Sequence, residues 1–369
     1  MPRLALNLLV LNGESCLPRM LRSIDGAIDE LVVVDTGSTD RTLEILESYA
    51  SSLRIRYACH HLTPNNAPRC FFPDNFPGCF LPTNRLLLAD WAQARNIALN
   101  DTTADYVLKL DADDELCNPS HTTVPPLTRW LDMHQNKMFV SSFYDIMEGN
   151  DIQERQMCAR LWRRSPEIYW TQPMHEYLTG KTGANTYFDN SSLPLLHTRD
   201  WRDSKGEGVR VPYRNLKVLE WHRLTHPGAM ADDSAAGVLF RYTWATEMAA
   251  WRPADARIEL VRLMNLVEGN SVFLADVYYQ VGRTYEHEGF IGLASSYYLL
   301  AYETVFLFPH FQASIRLVMM LGTPELRDRN RDALTKAIAV LRKVPDGQIP
   351  VGCNLRDFKQ ATAQCSAGL

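Results

Sequence analysis

Residues 106–115 read Tyr-Val-Leu-Lys-Leu-Asp-Ala-Asp-Asp-Glu, and the fold that the sequence predicts follows from this stretch. A mostly apolar run of five residues ends in four acidic side chains among the next five. Such a run favours a strand buried in a sheet. Alternate side chains of a strand share a face, so Asp111 and Asp113 can project together at its carboxyl end, where open α/β sheets bind ligands. Two carboxylates there can hold a hard cation, although a solvated acidic turn would look the same in sequence.

Length and composition narrow the class of protein. The chain has 369 residues, 46% hydrophobic and 22% charged, so we expect a globular protein of about two domains. Its net charge of −5 argues against strong general binding to polyanions. The eight cysteines contain no CxxC pair, which favours a reducing cytoplasm over a zinc site or a disulfide framework. We expect no transmembrane segment and no signal peptide.

The residues before the opening stretch alternate between strand and helix. Apolar runs at 4–11 and 31–34 predict buried strands, and each is followed by the three/four apolar spacing of a helix. This alternation is typical of the α/β class with a doubly wound sheet. The phosphate motifs GxGxxG and GxxxxGK[ST] are absent, which argues against dinucleotide enzymes and P-loop ATPases.

Residues 60–84 interrupt the alternation with five prolines and four phenylalanines. Prolines block regular structure, and the aromatic rings need a surface to pack on. A lid or substrate-recognition segment and a loop packed on its own domain both remain open for this insertion. A helix is then predicted from residue 86 to residue 100.

A helical region is predicted from about residue 235 onward. Small and aromatic residues there fit the tetratricopeptide repeat at Gly282, Tyr285, Ala294, Tyr298 and Ala301. One good repeat is too short for a free-standing solenoid, so we expect this region to pack against the sheet domain. The predicted domains are a sheet domain at residues 1–220, a helical domain at 221–345 and a tail at 346–369. The helical domain could also form the interface of a homodimer.

Seven motifs, taken in order, resemble the family 2 glycosyltransferases of GT-A fold. They are VLNGE (10–14) with LRSI (21–24), VVDTGSTD (33–40), DWAQARN (90–96), LDADDE (110–115), RLWR (160–163), MHE (174–176), and LH (196–197) with RNL (214–216). The resemblance is to the bacterial and phage subgroup with a C-terminal tetratricopeptide-like extension. It implies a cytoplasmic enzyme of a bacterial cell or a phage-infected host. Gly13 departs from the subgroup, which usually has a charged residue before the glutamate.

The resemblance implies roles for the matching residues. The carboxylates of the DxD motif would bind Mn²⁺ or Mg²⁺ across the two phosphates of a UDP-sugar, and a glutamate would act as general base. The expected site residues are, for catalysis, Glu176 and Asp113; for the sugar nucleotide, Asp35, Thr36, Gly37, Ser38, Asp90, Arg95, Asp111 and Arg160; and for the metal, Asp111, Asp113, His175 and His197. Structural alternatives stay open: a capping carboxylate for Asp35, and ordinary polar surface contacts for Asp90 and Arg95.

The implied reaction is transfer of a hexose, glucose from UDP-glucose, by one direct displacement that inverts the anomeric centre. The acceptor stays open among an envelope glycan, a peptide side chain and a hydroxymethylated base in phage DNA. Basic residues within 199–223 keep DNA among these acceptors. Two alternative functions are an inactive GT-A and tetratricopeptide-like interaction protein, and a sugar nucleotidyltransferase. The second would show a Gly-rich basic loop where this chain has Asn12-Gly13-Glu14.

Overall fold

The computed structural model describes residues 2–73, 88–116, 128–129, 132–133, 139–148, 151–180, 187–189, 195–198, 211–304, 308–320, 331–344, 350 and 353–366. The chain divides into two compact units. The first comprises residues 1–150 and 157–225, and the second comprises residues 151–156 and 226–369. The predicted domain limits at 220 and 345 stay a prediction.

The first unit is built on a large mixed sheet with helices between its early strands. Its strands are β1 (Leu4–Val10), β2 (Glu30–Asp35), β3 (Arg56–His61), β4 (Tyr106–Asp111), β5 (Asp114–Leu116), β6 (Phe139–Glu148), β7 (Asp151–Arg163), β8 (Ile168–Thr171), β9 (Tyr177–Gly180), β10 (Tyr187–Asp189) and β11 (Leu195–Thr198). The first six residues of β7 belong to the second unit. The helices of the first unit are α1 (Leu17–Ser23), α2 (Thr42–Leu53), α3 (Trp91–Asp101) and α4 (Val211–Thr225), with a 3₁₀ turn at Pro68–Cys70.

The sheet order places β4 beside the first strand of the chain. Among the described residues the order is β3-β2-β1-β4-β7-β6-β11-β5, with β10 paired to β6, while β8 and β9 form a separate hairpin. β1 pairs in parallel with β2 and β4, whereas β7 runs antiparallel to β4. The predicted doubly wound, mixed α/β sheet is confirmed.

Each face of the sheet is covered by different helices, as the alternation of side chains along the strands requires. On one face Leu8 and Val33 pack with residues of α1 and α2 such as Met20 and Leu46. On the other face the core joins β1 and β2 to α3 and to the start of the insertion, through Leu9, Val32, Val34, Ala94, Ala98, Cys70 and Phe71. Both faces are therefore buried, which explains why β1, β2 and β4 are continuous apolar runs.

The second unit is a succession of helices. They are α5 (Ala235–Met248), α6 (Pro253–Val267), α7 (Ser271–His287), α8 (Ile291–Thr304), α9 (Phe308–Met320), α10 (Arg331–Leu341) and α11 (Leu355–Ser366). The predicted repeat corresponds to α7 and α8. A Cβ added at Gly282 would lie 2.7 Å from the ring of Tyr298, so the glycine permits the close approach of these two helices. The predicted helical C-terminal region is confirmed.

Some sequence predictions fall outside the described residues. These are residues 74–84 of the insertion and residues 199–210 of the basic segment. The start of the insertion is described, and there Phe72 packs edge-on against Trp221 of α4, with ring centroids 6.1 Å apart. Within the described parts of the chain, no helix is both long and apolar enough to cross a membrane.

Candidate active site

The acidic loop, residues 111–115, folds back on itself at the carboxyl end of β4. β4 ends at Asp111 and β5 begins at Asp114, so Ala112 and Asp113 form the turn between them. The backbone N–H of Asp111 donates to Asp114 Oδ2 at 2.8 Å. The Asp114 side chain is fully buried, whereas 35% of the Asp113 side chain is exposed. Adjacent carboxylates therefore differ sharply in their access to solvent.

β11 brings a histidine to this loop from 83 residues further along the chain. It pairs antiparallel with β5 in a register that sets His197 opposite Asp114. His197 Nδ1 lies 3.1 Å from Asp114 Oδ1 and 3.4 Å from Asp113 Oδ1. One ligand atom from each of the three residues lies within 4.8 Å of the others. Two carboxylates and an imidazole fit the donors that Mn²⁺ accepts, and the carboxylates also suit Mg²⁺.

Burial and neighbouring charges determine the protonation of this group. Burial raises the pKa of Asp113 to about 6, with His197 opposing the shift and the charges of Asp111 and Asp114 adding to it. Burial lowers the pKa of His197, but its hydrogen bond to Asp114 and the charge of Asp113 outweigh burial and raise it overall. The raised pKa values of Asp113 and His197 mean that these two side chains retain protons more readily than isolated ones, and a bound divalent cation would displace them.

Asp111 lies in a different environment, among three cations. Lys109 Nζ contacts Asp111 Oδ2, Arg95 Nη2 lies 3.0 Å from Oδ1, and Arg160 Nη1 lies 3.6 Å from Oδ2. Burial opposes ionisation of Asp111, but Lys109 and Arg95 outweigh it and hold the pKa of Asp111 well below its usual range. Among the described residues, the structure groups Asp113 with Asp114 and His197 and leaves Asp111 outside that group. The role of Asp111 as a metal ligand stays a prediction.

Arg95 links Asp111 to the predicted general base. Its Nε contacts Glu176 Oε1, and its guanidinium carbon lies 5.6 Å from the centre of the Trp170 ring. The Arg95 side chain is 8% exposed and that of Glu176 13% exposed. Burial opposes ionisation of Glu176, but the charges of Arg95 and Lys109 outweigh it, so the pKa of Glu176 is lowered. Glu176 is therefore a carboxylate at neutral pH.

Helix α3 also holds the loop that carries Glu176. Asn96 binds both backbone groups of Trp170, accepting from its N–H at 2.8 Å and donating to its carbonyl at 2.9 Å. The N–H of Trp91 donates to the carbonyl of Pro173 at 3.0 Å. The loop itself contains two left-handed residues other than glycine, Gln172 and His175, with φ of 72° and 53°. Such conformations persist where surrounding contacts enforce them. Two motifs that the sequence separates by some 80 residues thus form one structural element.

Asp35 shapes the loop that follows β2. Its carboxylate is 2% exposed and accepts from the N–H of Gly37 at 3.2 Å and of Ser38 at 3.0 Å. Gly37 has a φ of 105°, a backbone conformation that favours glycine. Ser38 Oγ accepts in turn from the N–H of Asn12 at 2.8 Å, which joins the β2 loop to the β1 loop. These contacts lie within the loop, and the N-cap of α2 is Arg41, so Asp35 does not act as the helix cap that was its structural alternative. Nucleoside binding by Asp35 and Thr36 stays a prediction.

The remaining predicted residues occupy distinct places. Asp90 caps α3, accepting from the backbone N–H of Gln93 at 2.9 Å. Arg160 is buried on β7, with Nη1 3.5 Å from Asp114 Oδ2. His175 is exposed and lies outside the group formed by Asp113, Asp114 and His197 in the described part of the chain.

Two residues of this site, Asp114 and Lys109, have no secure role predicted from the sequence. Asp114 looked like one more acidic residue after the DxD motif. Lys109 lies inside the apolar run, where a charged side chain is uncommon unless it is paired. That position was the available signal, and the structure shows a buried lysine whose partner is Asp111.

Comparison with solved structures finds distant likenesses. TarS of S. aureus, solved in complex with UDP-GlcNAc, is 15% identical over 96% of this chain and 97% of that chain, with a TM-score of 0.40. Glucosyl-3-phosphoglycerate synthase of Mycobacterium tuberculosis was solved with Mn²⁺, UDP-glucose and phosphoglyceric acid. It is 20% identical over 59% of this chain and 79% of that chain, with a TM-score of 0.34.

Sequence comparison gives more specific matches. Residues 8–62 match the family described as "Glycosyl transferase family 2". A TPR repeat-containing protein of Synechococcus elongatus is 29% identical over 180 residues, which make up 48% of this chain and 35% of that protein. The aligned region therefore spans about a third of the length of that curated relative.

Proposed function

We propose that this chain is a glycosyltransferase similar to those of family 2, whose family model matches residues 8–62, and that it transfers a hexose from a UDP-sugar to an acceptor with inversion at the anomeric carbon. The observation that carries the proposal is the group of Asp113, Asp114 and His197 at the carboxyl end of β4. Ligands of open α/β sheets bind at that end of the strands.

The balance of fixed charge supports a metal-dependent reaction. Three cations, Lys109, Arg95 and Arg160, face three carboxylates, Asp111, Asp114 and Glu176. These described charges cancel, so a bound diphosphate would need a further cation to neutralise it. Mn²⁺ or Mg²⁺ would supply Lewis-acid stabilisation of the negative charge on the departing diphosphate.

We propose that Asp113 and His197 are ligands of this ion and that buried Asp114 orients the histidine ring. A carboxylate bonded to one ring nitrogen of a histidine is a common support for a metal-binding histidine. The contact of 3.1 Å between His197 Nδ1 and Asp114 Oδ1 is of this kind. Asp111, as the first carboxylate of the DxD motif, is proposed to serve the nucleoside and the ion from its position among the cations.

Glu176 is the proposed general base. Its lowered pKa keeps it ionised and able to accept a proton, and Arg95 holds its carboxylate in one place. In the proposed step the acceptor oxygen bonds to the anomeric carbon while the bond from that carbon to the diphosphate oxygen breaks. The acceptor proton passes to Glu176, and the nucleoside diphosphate leaves with the bonding electron pair.

The donor and the acceptor are proposed from the family resemblance alone. Glucose from UDP-glucose is the proposed donor group, and an envelope glycan, a peptide side chain and a hydroxymethylated DNA base are the candidate acceptors. Duplex DNA is tested by its binding at several salt concentrations, because phosphate contacts make affinity fall steeply with salt. Absence of binding at low ionic strength would remove DNA from the candidates.

The experiment that tests the proposal is hydrolysis of a panel of sugar nucleotides with and without a chelator. We expect turnover of a UDP-sugar that the chelator abolishes, and loss of turnover in Asp113→Ala. Asp332→Ala is the control, because the Asp332 side chain is 86% exposed on helix α10. Turnover that resists the chelator, or an Asp113→Ala variant as active as the control, would contradict the metal assignment.

A further inference from the structure

Helix α1 supports the acidic loop from several points along its length. Arg19 contacts Asp113 and Glu115, and Ser23 contacts Leu116 just beyond the loop. The residue that precedes the helix by one turn, Gly13, faces Ala112 in the middle of the loop. Neither Arg19 nor Ser23 was among the predicted site residues.

The contacts of Arg19 fix both the backbone and a side chain of the acidic loop. Its Nη2 donates to the backbone carbonyl of Asp113 at 3.5 Å, and its Nε lies 2.9 Å from Glu115 Oε2. Both side chains are about one-third exposed, at 36% for Arg19 and 32% for Glu115. Arg19 thus pairs with Glu115 through its charge while one N–H of its guanidinium donates to the loop backbone.

Ser23 and Gly13 hold the two sides of the same loop. Ser23 Oγ accepts from the N–H of Leu116 at 3.1 Å and donates to the carbonyl of Met20 at 2.7 Å, so it connects the end of β5 to the last turn of α1. A Cβ added at Gly13 would lie 3.3 Å from Ala112 Cβ and 3.0 Å from Val10 Cγ2. The missing side chain lets the β1 loop approach the acidic loop closely.

We infer that Arg19, in an ion pair with Glu115, is a positioning residue that holds Asp113 in place for the metal group. The inference rests on the proposed function, because it assigns the support of a ligand in the proposed site. It also gives a role to Glu115, the residue of the acidic loop that the reaction does not use.

An effect of charge and an effect of position make opposite predictions for metal binding in Arg19→Gln. If Arg19 acted only through its charge, Arg19→Gln would remove a repelling cation and tighten divalent metal binding, while Glu115→Gln would weaken it. The two effects would then add in the double variant. If the pair positions the loop, each single change weakens metal binding. The double variant then binds the metal no more weakly than the single variant with the lower affinity.

The experiment is titration of the full chain with Mn²⁺, following the electron paramagnetic resonance signal of the free ion. We expect Arg19→Gln and Glu115→Gln each to weaken Mn²⁺ binding about tenfold, at the low end of the range for residues that orient metal ligands, because the pair is partly exposed. Arg19→Lys keeps the positive charge but lacks the planar guanidinium, so we expect its Mn²⁺ affinity to lie between those of the wild type and Arg19→Gln. Tighter binding in Arg19→Gln, or additive effects in the double variant, would overturn the inference.

A second measurement keeps the inference separate from the metal assignment. Amide hydrogen exchange across residues 108–116, measured without metal, reports directly on the order of the acidic loop. We expect faster exchange there in Arg19→Gln and in Ser23→Ala, with the melting temperature of the whole chain unchanged. Unchanged exchange in the variants would refute the positioning role. Faster exchange in the variants, together with a wild-type chain that binds no Mn²⁺, would refute only the metal site.

Discussion

Replacing Arg95 by methionine should destabilise the first unit strongly at neutral pH and only weakly at acid pH. Arg95 is buried, and one guanidinium pairs with two carboxylates, Asp111 at 3.0 Å and Glu176 through Nε. Methionine keeps most of the apolar stem and removes the charge. Both carboxylates would then lose their common partner while remaining largely shielded from water.

The magnitude follows from the burial of the partners. Removing one member of a buried ion pair typically costs about 3–5 kcal/mol. The Asp111 side chain is 28% exposed and retains Lys109, so the low end, about 3 kcal/mol, applies here. In a unit of this size that loss corresponds to a fall of roughly 6–12 °C in melting temperature.

The pH dependence gives the prediction its sign. The pKa of Glu176 is lowered in the folded chain, so its contribution to stability is present above its unfolded pKa of about 4.3 and is lost as pH falls through the folded value. The pKa of Asp111 is lowered in the same direction. The gap in stability between the wild type and Arg95→Met should therefore begin to narrow below about pH 4 and close once the pH falls below the lowered pKa values of the folded chain.

Scanning calorimetry at pH 7 and at pH 4 and below measures both effects. The control is Arg41→Met, because Arg41 pairs with Glu44 on the exposed surface of α2 and should leave the melting temperature unchanged. A fall in the melting temperature of Arg95→Met at pH 7 no greater than that of the control would refute the reasoning. So would a gap that stays constant from pH 7 to acid pH.

Two further predictions concern the helical unit. Gly282→Ala should lower the free energy of unfolding of this unit by about 1–3 kcal/mol, because the new Cβ would overlap the Tyr298 ring. Gly292→Ala is the control, because a Cβ at that position would lie in open space and should not destabilise the unit. Denaturant titration compares the two variants. Burial raises the pKa of Asp276 although Tyr242 donates to its carboxylate, so stability should fall as pH rises from about 4 through that raised value. Asp276→Asn should remove this fall, and an identical pH profile in the variant would contradict the assignment.

The strands of the first half of the sheet could be predicted because each is a continuous buried run. β1 and β2 are buried at every residue and pair in parallel, so their apolar pattern is strong and local. The pairing of β11 with β5 could not be predicted in the same way. It joins segments about 80 residues apart, and no local pattern in a four-residue strand specifies its partner.

The site was predictable in its residue types and less so in its arrangement. Asp113 and His197 were both expected near a metal, and the structure places them 3.4 Å apart. The sequence did not predict that Asp114, rather than Asp111, would lie with Asp113 and His197. Their environments differ through burial and through Lys109, Arg95 and Arg160, and these are properties of packing between distant strands.

The late position of β11 in the chain has a consequence for how the site matures. The acidic loop is complete by residue 115, but His197 joins it only when β11 pairs with β5. We expect a long-range pairing of this kind to form late in folding. Bringing the two strands together costs the entropy of closing the intervening chain before their contacts can offset it. The proposed binding of a divalent ion by Asp113 and His197 therefore requires that β11 has paired with β5. An ion bound by Asp113 and His197, as proposed, would stabilise the pairing of β11 with β5, so the stability of this sheet edge would depend on ion concentration.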